Sequence, residues 1–213
     1  MTEQLEDYIS RHIEREPDHL RRLNRRVHTA LVYSRMCSGH IQGRLLKMLT
    51  SMINPTRVLE LGTYAGYSAL CIAEGLLRDD AIVDTMEIED ELEDFIREQF
   101  SLSPYASKIN LHIGDAMTIV PELGGEWDMV FIDANKRMYP QYYEMLIERL
   151  APGGYIIADN ILWDGKVTDP EHYNDAQTVG IMKFNEMVAA DERVEVVIIP
   201  LRDGLSIIRK NNL

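Results

Sequence analysis

The chain has 213 residues, of which 46% are hydrophobic, and its 35 acidic against 22 Lys and Arg residues give a formal net charge of −13. This length supports one sizeable buried core, and the negative charge disfavours non-specific binding to phosphate backbones or anionic membranes. The first residues, MTEQLEDYISRHIEREP, are too polar and charged for a signal peptide, and no segment is apolar enough to predict a membrane span.

The first quarter of the chain has the residue spacing of amphipathic helices. Apolar residues recur at helical intervals on both sides of a break at Pro17, in two series: Leu5, Tyr8, Ile9 and Ile13, then Leu20, Leu23, Val27 and Leu31. The segment IQGRLLKMLTSMI continues this pattern until Asn54 and Pro55 end it. Residues 1–54 are therefore predicted to form N-terminal helices outside a sheet.

From residue 57 onward, predicted strands alternate with predicted helices. The strands are RVLELG, AIVDTMEI, KINLHIGD, WDMVFID and GGYIIAD. The helices between them are YSALCIAEGLL, EDELEDFIREQF, AMTIVPEL and YPQYYEMLIERL. Because alternating strands and helices imply crossover connections, this order predicts a parallel sheet with helices on both faces.

The end of the chain breaks the alternation. After a polar stretch (163–175) and the helix AQTVGIMKFNEMVAA, the strands RVEVVIIPL and GLSIIRK are joined only through RDG. Asp203–Gly204 is typical of a hairpin, so the last pair should be antiparallel. Dinucleotide-binding sheets are usually all parallel. The order therefore predicts a class I methyltransferase (Rossmann-like) α/β fold with a mostly parallel, seven-stranded sheet, in one domain (1–213) with its core at 55–213.

The turn after the first strand, LELGTYAGYSA, contains two glycines near the expected ligand edge of the sheet. Gly62 and Gly66 would let the backbone approach a ligand closely and enter the next helix tightly. The spacing is not G-x-G-x-x-G, and Glu60 disfavours a pyrophosphate but suits the positively charged amino-acid end of S-adenosylmethionine. An ordinary strand–helix turn is the alternative interpretation.

Acidic residues also end the second and third strands. Glu87 could hold two ribose hydroxyls by bidentate hydrogen bonds, and Asp115 with Ala116 suits an adenine amino group and face. For Glu87 and Glu89, a solvated helix start is the alternative, and it fits Glu89 better. Three successive strands that end in an acid at one edge predict a nucleoside site.

The fourth and fifth strands end in oxygen ligands. Asp133 follows VFI, and Asp159 with Asn160 follows YIIA, at the tips of strands predicted to be neighbours. Two carboxylates and an amide, without Cys or His, suit Mg²⁺, or else Mn²⁺ or Ca²⁺, rather than zinc. Three protein ligands leave room for water and two substrate oxygens, and a metal lowers the pKa of such hydroxyls.

Lys136 follows Asp133 by three residues and is the candidate general base. An ammonium that is buried or near a metal loses its proton more readily than one in water, and the neutral amine can take a phenolic or enolic proton. Taken singly, Asp133 as a helix N-cap, Asp159–Asn160 as a turn and Lys136 as a solvated residue are the favoured interpretations. Their meeting at one sheet edge favours the metal site.

From about residue 33 to its end, the chain resembles the cation-dependent O-methyltransferases, the caffeoyl-CoA and catechol O-methyltransferase family, as a bacterial-type member. The matching stretches are LELGTYAGYSAL, MEIED, GDA, FIDANKRMY, APGGYIIADNILWDG and DERVEVVIIPLRDGLSI. The resemblance implies S-adenosylmethionine contacts at Ser38, Glu60, Gly62, Thr63, Ser68, Glu87, Ala116 and Asp133. It also implies that Lys136 is the general base.

Four further residues are predicted to face the substrate: Asn135, Tyr139, Trp163 and Asp203. Tyr139 is expected to shape the substrate entrance. Trp163 could equally be a packing residue, and Asp203 could equally serve ordinary turn chemistry. In the resembled plant enzymes an Asp usually stands where this chain has Asn135.

These features predict methyl transfer to a hydroxyl of a metal-chelated small molecule, a catechol-like or caffeoyl-type vicinal diol. The alternative substrate is 5-hydroxyuridine in tRNA, for which the basic run RRLNRRVH could contact phosphate. With the net charge of −13, a solvated helix face is the preferred interpretation of that run. By analogy with relatives, the N-terminal helices predict a homodimer. Cys37 and Cys71, in no zinc-binding or CxxC spacing, predict reduced thiols in a cytoplasmic protein.

Overall fold

The computed structural model describes residues 2–212, with the side chain of residue 3 left out. Its α-helices are α1 (Glu3–His12), α2 (Asp18–Ala30), α3 (Gly39–Ile53), α4 (Tyr67–Gly75), α5 (Glu93–Ser101), α6 (Ala116–Leu123), α7 (Tyr139–Ile147) and α8 (Ala176–Ala190). Its strands are β1 (Arg57–Leu61), β2 (Ile82–Glu87), β3 (Ile109–Ile113), β4 (Trp127–Ile132), β5 (Leu150–Asp159), β6 (Val194–Ile199) and β7 (Leu205–Lys210). The elements follow the predicted order.

The strands form a seven-stranded mixed sheet in the order β3-β2-β1-β4-β5-β7-β6. Parallel pairs join β2 to β3, β1 to β4 and β4 to β5. Strand β7 runs antiparallel to both β5 and β6, which confirms the closing hairpin. The hairpin folds back so that β7, the last strand in sequence, lies next to β5. The predicted class I methyltransferase architecture is confirmed.

The sequence placed the junction of α7 and β5 too late. Helix α7 ends at Ile147 and β5 begins at Leu150, three residues before the predicted start. Leu150 pairs with Trp127 of β4, and the register then shifts before Met129 pairs with Tyr155. Pro152 falls in this irregular part, where a residue without an N–H is tolerated.

Short 3-10 turns occur at the predicted start of the acidic helix and in the polar stretch before α8. Asp90–Leu92 is a 3-10 turn before α5, so the acidic helix begins later than its pattern indicates. The polar stretch between β5 and α8 contains two more such turns, Trp163–Thr168 and Pro170–His172. These segments lack the 3.6-residue apolar period from which a sequence pattern locates an α-helix.

Backbone contacts group the chain into two compact units, Met1–Thr56 with Thr63–Gly114 and Arg57–Gly62 with Asp115–Leu213. The single domain over residues 1–213 stays a prediction. In the second unit, consecutive residues of the neighbouring strands β4 and β5 are completely buried: Val130, Phe131, Ile132, Ile156, Ile157 and Ala158. A strand that is buried on both faces has apolar residues on both sides. Its sequence is therefore a continuous apolar run and does not alternate between polar and apolar residues.

In the first unit, helix α2 carries the basic run. Its buried side is an apolar stripe of Leu20, Leu23 and Val27. Arg21 pairs with Asp18 at 2.8 Å, and Arg26 donates to both carboxylate oxygens of Glu98 at 2.6 and 2.9 Å. Part of the positive charge of this exposed face is thus already paired within the chain. None of the helices among the described residues combines the length and the apolar composition that crossing a membrane requires.

Candidate active site

The carboxyl end of β4 presents a carboxylate and an ammonium in direct contact. The Asp133 backbone N–H donates to the Leu61 carbonyl at 2.9 Å, which joins this strand end to the end of β1. Lys136 donates from Nζ to Asp133 Oδ1 at 2.7 Å, and Lys136 is only 9% exposed. Asn135 accepts a hydrogen bond from the Arg137 N–H at 3.2 Å and so begins the 3-10 turn that carries Lys136. A charge-assisted pair therefore lies where the sequence changes from apolar to polar.

The carboxyl end of β5 presents a second carboxylate. Asp159 is the last residue of the strand, is 4% exposed, and accepts the Asn160 N–H at 2.8 Å on Oδ1. Asn160 has a φ of 58°, a left-handed conformation that asparagine tolerates better than most residues. The strand therefore ends at Asp159, and the backbone changes direction at Asn160, the second predicted ligand of this strand end.

The two strand ends lie side by side. Ile132 of β4 is paired with Ala158 of β5, so Asp133 and Asp159 each follow a residue of the same pair. The Tyr139 hydroxyl lies between the strands, 2.9 Å from the Asp159 carbonyl oxygen and 3.2 Å from the Ile132 carbonyl oxygen. Burial, and then the negative charges of Asp133 and Asp159, raise the pKa of Tyr139 well above its usual value, which keeps its hydroxyl a donor.

This position of Tyr139 corrects the expectation that it shapes the substrate entrance. The residue is 0% exposed, and its ring packs edge-on against Phe184 of α8 with the centroids 5.4 Å apart. The side chain faces the sheet and not an opening, because the sheet side offers both an apolar neighbour for the ring and two carbonyls for the hydroxyl. Helical spacing after Lys136 could not distinguish these two directions.

The loop after β5 is held by the turn between β6 and β7. The Leu162 N–H donates to the Asp203 carbonyl at 2.9 Å, and Asp203 Oδ1 accepts the Asp164 N–H. The Trp163 ring, whose residue has a φ of 47°, lies with its centroid 5.9 Å from Lys136 Nζ and 5.6 Å from Lys166 Nζ. Trp163 is thus next to the candidate base, whereas Asp203 holds the loop that follows Asn160.

The predicted ligands fit a hard divalent cation by their chemistry. Residues 2–212 contain no group of three or more His, Cys, Asp or Glu side chains suited to a metal. The set at the strand ends is smaller, with the carboxylates of Asp133 and Asp159 and the amide of Asn160. Every donor is oxygen, and a cation, Lys136, already accompanies Asp133. Such a set suits Mg²⁺, which usually keeps several water ligands and is held by one or two carboxylates.

Gly62, after β1, is required by the protein backbone itself. Its φ is 96°, and an added Cβ would overlap the Asp133 carbonyl, with the carbonyl carbon only 2.7 Å away. The sequence predicts that Gly62 permits the close approach of a ligand. The structure shows that the glycine first allows β1 to end against the residue that carries the Asp133 carboxylate.

Replacement of Gly62 by alanine is expected to destabilise the protein by about 3 kcal/mol, because a left-handed φ and steric overlap each cost roughly 1–3 kcal/mol. Urea unfolding measures this loss. Gly124→Ala is the matched control, since Gly124 has a φ of 61° but open space around its Cβ position. An equal loss in both variants would show that contact with Asp133 contributes nothing.

The other predicted cofactor residues of this unit lie in β1 and at the start of α6. Glu60 is fully buried in β1. Asp115 caps α6 by accepting the Met117 N–H at 2.9 Å, and Ala116 follows it as a buried residue. The cap explains why an acid ends the third strand–helix turn, and it uses one of the two carboxylate oxygens.

In the first unit, Glu87 is the candidate for ribose binding. It is buried at the end of β2, where Oε2 accepts the Tyr64 N–H at 2.6 Å and Oε1 accepts the Glu89 N–H at 3.0 Å. Each oxygen keeps a further lone pair for a ligand hydroxyl. Thr63 shares a 2.6 Å hydrogen bond with the hydroxyl of Thr85. The two predicted serines, Ser38 and Ser68, are both buried.

The sequence interpretation missed the support that α8 gives to the turn of Lys136. An added Cβ on Gly180 would lie 2.8 Å from Arg137 Cα and would overlap the Lys136 carbonyl oxygen. A glycine inside the helix pattern AQTVGIMKF is the available indication, since glycine in a helix interior costs about 1 kcal/mol relative to alanine.

A family model and the sequences of two known proteins match this chain. A family model described as O-methyltransferase matches residues 10–211. The caffeoyl-CoA O-methyltransferase of Stellaria longipes is 31% identical over 221 aligned positions, 98% of this chain and 91% of that protein. The catechol O-methyltransferase of Niastella koreensis is 32% identical over 164 positions, 75% of this chain and 73% of that protein.

Two solved structures are similar over nearly the whole chain. The O-methyltransferase TomG from Streptomyces achromogenes, involved in tomaymycin synthesis and solved with SAM, has a TM-score of 0.91 at 28% identity, covering 99% of this chain and 100% of that one. An O-methyltransferase from Bacillus cereus, solved with SAH, has a TM-score of 0.91 at 25% identity, covering 98% and 97%.

Proposed function

We propose, since the chain belongs to the O-methyltransferase family, that it transfers the methyl group of S-adenosylmethionine to a hydroxyl of a metal-chelating small molecule. The substrate class is a catechol-like or caffeoyl-type vicinal diol. The observation that carries this proposal is the contact pair of Asp133 and Lys136 at the end of β4, next to Asp159 at the end of β5. Adjacent oxygens of a diol suit a site that offers both a metal-binding carboxylate set and a base.

Asp133, Asp159 and Asn160 are the residues that would hold the divalent cation, with Mg²⁺ as the first candidate and Mn²⁺ or Ca²⁺ as alternatives. When bound, such a cation lowers the pKa of a chelated hydroxyl. Asp133 also fixes Lys136 Nζ at 2.7 Å, so that one carboxylate serves both the cation and the base. The burial of Asp159 and Lys136 limits the access of bulk water to this edge of the sheet.

Lys136 is the proposed general base. It acts as the neutral amine, after its own ammonium proton has been released to solvent. The neutral Nζ accepts the hydroxyl proton, which leaves the substrate oxygen with the electron pair that forms the new bond to the methyl carbon. The carbon–sulfur bond breaks at the same time, and its electron pair stays on sulfur, so that S-adenosylhomocysteine is the second product. The turn Lys136–Met138, packed under α8, holds the amine in place for this transfer.

Each unit by itself contains residues that we propose to contact S-adenosylmethionine. In the first unit they are Glu87, which would accept the ribose hydroxyls, and Ser38, Thr63 and Ser68. In the second unit they are Glu60, Gly62, Asp115, Ala116 and Asp133. Asn135, Trp163 and Asp203 remain the proposed substrate residues. Asn135 is exposed, Asp203 Oδ1 also accepts the Asp164 N–H, and Tyr139 is buried.

The remaining parts of the proposal concern partners and location. The small-molecule substrate is preferred to 5-hydroxyuridine in tRNA, because Arg21 and Arg26 of the basic helix α2 already pair with acids of the chain. A homodimer formed through the N-terminal helices and a cytoplasmic location complete the proposal. The oligomeric state is measurable by light scattering.

A direct assay tests the function. The protein is incubated with S-adenosylmethionine, Mg²⁺ and catechol, and formation of S-adenosylhomocysteine is followed with and without EDTA. We expect EDTA to slow turnover by at least about 10²-fold, since several kcal/mol of charge stabilisation are lost with the metal. Resorcinol, the isomer with non-adjacent hydroxyls, is the matched control and should react no faster than the EDTA-treated enzyme.

Two results would contradict the proposal: turnover that ignores EDTA, or equal rates for catechol and resorcinol. A parallel reaction with tRNA that contains 5-hydroxyuridine, repeated over a series of salt concentrations, tests the alternative substrate. Fast methylation of the tRNA with a steep dependence on salt would favour that alternative.

A further inference from the structure

The hydroxyl of Tyr139 is placed between the ends of two neighbouring parallel strands. Its two acceptors are the carbonyl oxygens of Ile132 and Asp159, the last residues of β4 and β5. The next residue after each acceptor is Asp133 in one strand and Asn160 in the other. The buried Tyr139 hydroxyl therefore connects the two strand ends that carry the proposed cation ligands.

The ring of Tyr139 is fixed from the opposite side by helix α8. Phe184 packs edge-on against it at 5.4 Å and an interplanar angle of 82°. Four residues earlier in α8, Gly180 lies directly on the Lys136–Met138 turn, because no Cβ fits between them. The Tyr139 ring is thus packed between helix α8 and the ends of β4 and β5. This packing leaves its hydroxyl little freedom to move.

We propose that Tyr139 is a positioning residue that ties the ends of β4 and β5 together and thereby sets the spacing of Asp133, Asp159 and Asn160. This inference rests on the proposed function, which assigns these three residues to a divalent cation. Ladder hydrogen bonds hold parallel strands together along their length, but beyond the last paired residues, Ile132 and Ala158, the strand ends need another connection. Hydrogen bonds from neighbouring residues fix the orientation of metal ligands, and removing such a bond weakens metal affinity.

Tyr143 offers a closely matched control for the test. It lies one turn further along α7, is buried, and packs edge-on against the same Phe184 ring at 5.9 Å. Its hydroxyl donates to Asp191 Oδ2 at 2.8 Å, away from the ends of β4 and β5. Tyr139→Phe and Tyr143→Phe therefore each remove one hydrogen-bonded hydroxyl from the same helix and leave both rings in place.

The first measurement is the dissociation constant of Mn²⁺, determined by electron paramagnetic resonance on protein without substrate. We expect Tyr139→Phe to weaken Mn²⁺ binding by roughly 10-fold, in the range found when partners of metal ligands are removed, and Tyr143→Phe to leave it within about 2-fold. The second measurement is amide hydrogen exchange at residues 133 and 160–162. It should be faster in Tyr139→Phe and unchanged in Tyr143→Phe.

The outcomes separate this inference from the proposed function. Equal weakening of Mn²⁺ binding in both variants, or none in Tyr139→Phe, would overturn the positioning role while the metal site stands. If the unaltered protein itself binds no Mn²⁺, Mg²⁺ or Ca²⁺, the metal part of the proposed function fails. Amide exchange then decides whether Tyr139 joins the strands: unchanged exchange in Tyr139→Phe overturns the inference, and faster exchange supports it.

Discussion

Replacement of Lys136 by arginine is expected to lower kcat for methyl transfer by about 10³-fold, within the range that general-base catalysis contributes. Arginine keeps the positive charge and can keep a hydrogen bond to Asp133, but it is not deprotonated in proteins. The variant thus removes the proton acceptor and preserves the ion pair. Formation of S-adenosylhomocysteine from catechol measures the loss, and calorimetric titration should show unchanged binding of S-adenosylmethionine.

Lys166→Arg is the matched control for this substitution. Lys166 lies over the same Trp163 ring as Lys136, 5.6 against 5.9 Å from Nζ to the centroid. Of these two lysines, Lys136 is the one that pairs with Asp133. It should keep kcat within about 3-fold, because arginine keeps the positive charge over the aromatic face and Lys166 takes no part in the proposed proton transfer. Should Lys136→Arg retain a third or more of the activity, Lys136 cannot be the base.

Replacement of Asp159 by asparagine is expected to abolish stabilisation by a divalent cation and to lower turnover at least about 10²-fold. The amide keeps the shape of the side chain and an acceptor for the Asn160 N–H. It removes one of the two negative charges that the proposed site directs at the cation. In the unaltered protein, a cation at 100 times its dissociation constant should stabilise the fold by about 2.7 kcal/mol, which thermal unfolding detects.

The same substitution has the opposite expected effect without a cation. Asp133 and Asp159 both act electrostatically on the Tyr139 hydroxyl, and two carboxylates near one point repel each other. The metal-free Asp159→Asn protein should therefore unfold at the same temperature as the unaltered protein or higher.

Asp164→Asn, in the exposed part of the same loop, is the control and should keep the stabilisation by Mn²⁺. Stabilisation of Asp159→Asn by Mn²⁺ to the same extent as the unaltered protein would remove Asp159 from the ligand set.

The order of elements, the closing hairpin and the residues at the strand ends can all be predicted from the amino-acid sequence. Apolar runs such as VFI and YIIA report burial on both faces of a sheet, and the polar residue that ends each run marks the edge. The sequence therefore predicts Asp133 and Asp159 at neighbouring strand ends, and Asp203–Gly204 indicates an antiparallel turn through local chemistry alone. These features depend on a few consecutive residues, which is why the sequence is sufficient for them.

The groups that those residues contact depend on the folded structure. The early start of β5 at Leu150 depends on its shifted register with β4, and the burial of Tyr139 depends on Phe184, 45 positions later in the chain. Asp203 supports the Asp164 backbone, and Gly180 lies on the turn of Lys136. A periodic pattern states that a side chain is buried but not against what, since hydrophobic burial is non-directional and the partners come from distant segments. The direction of one tyrosine, inward to two carbonyls and not outward to a substrate, is settled by that packing.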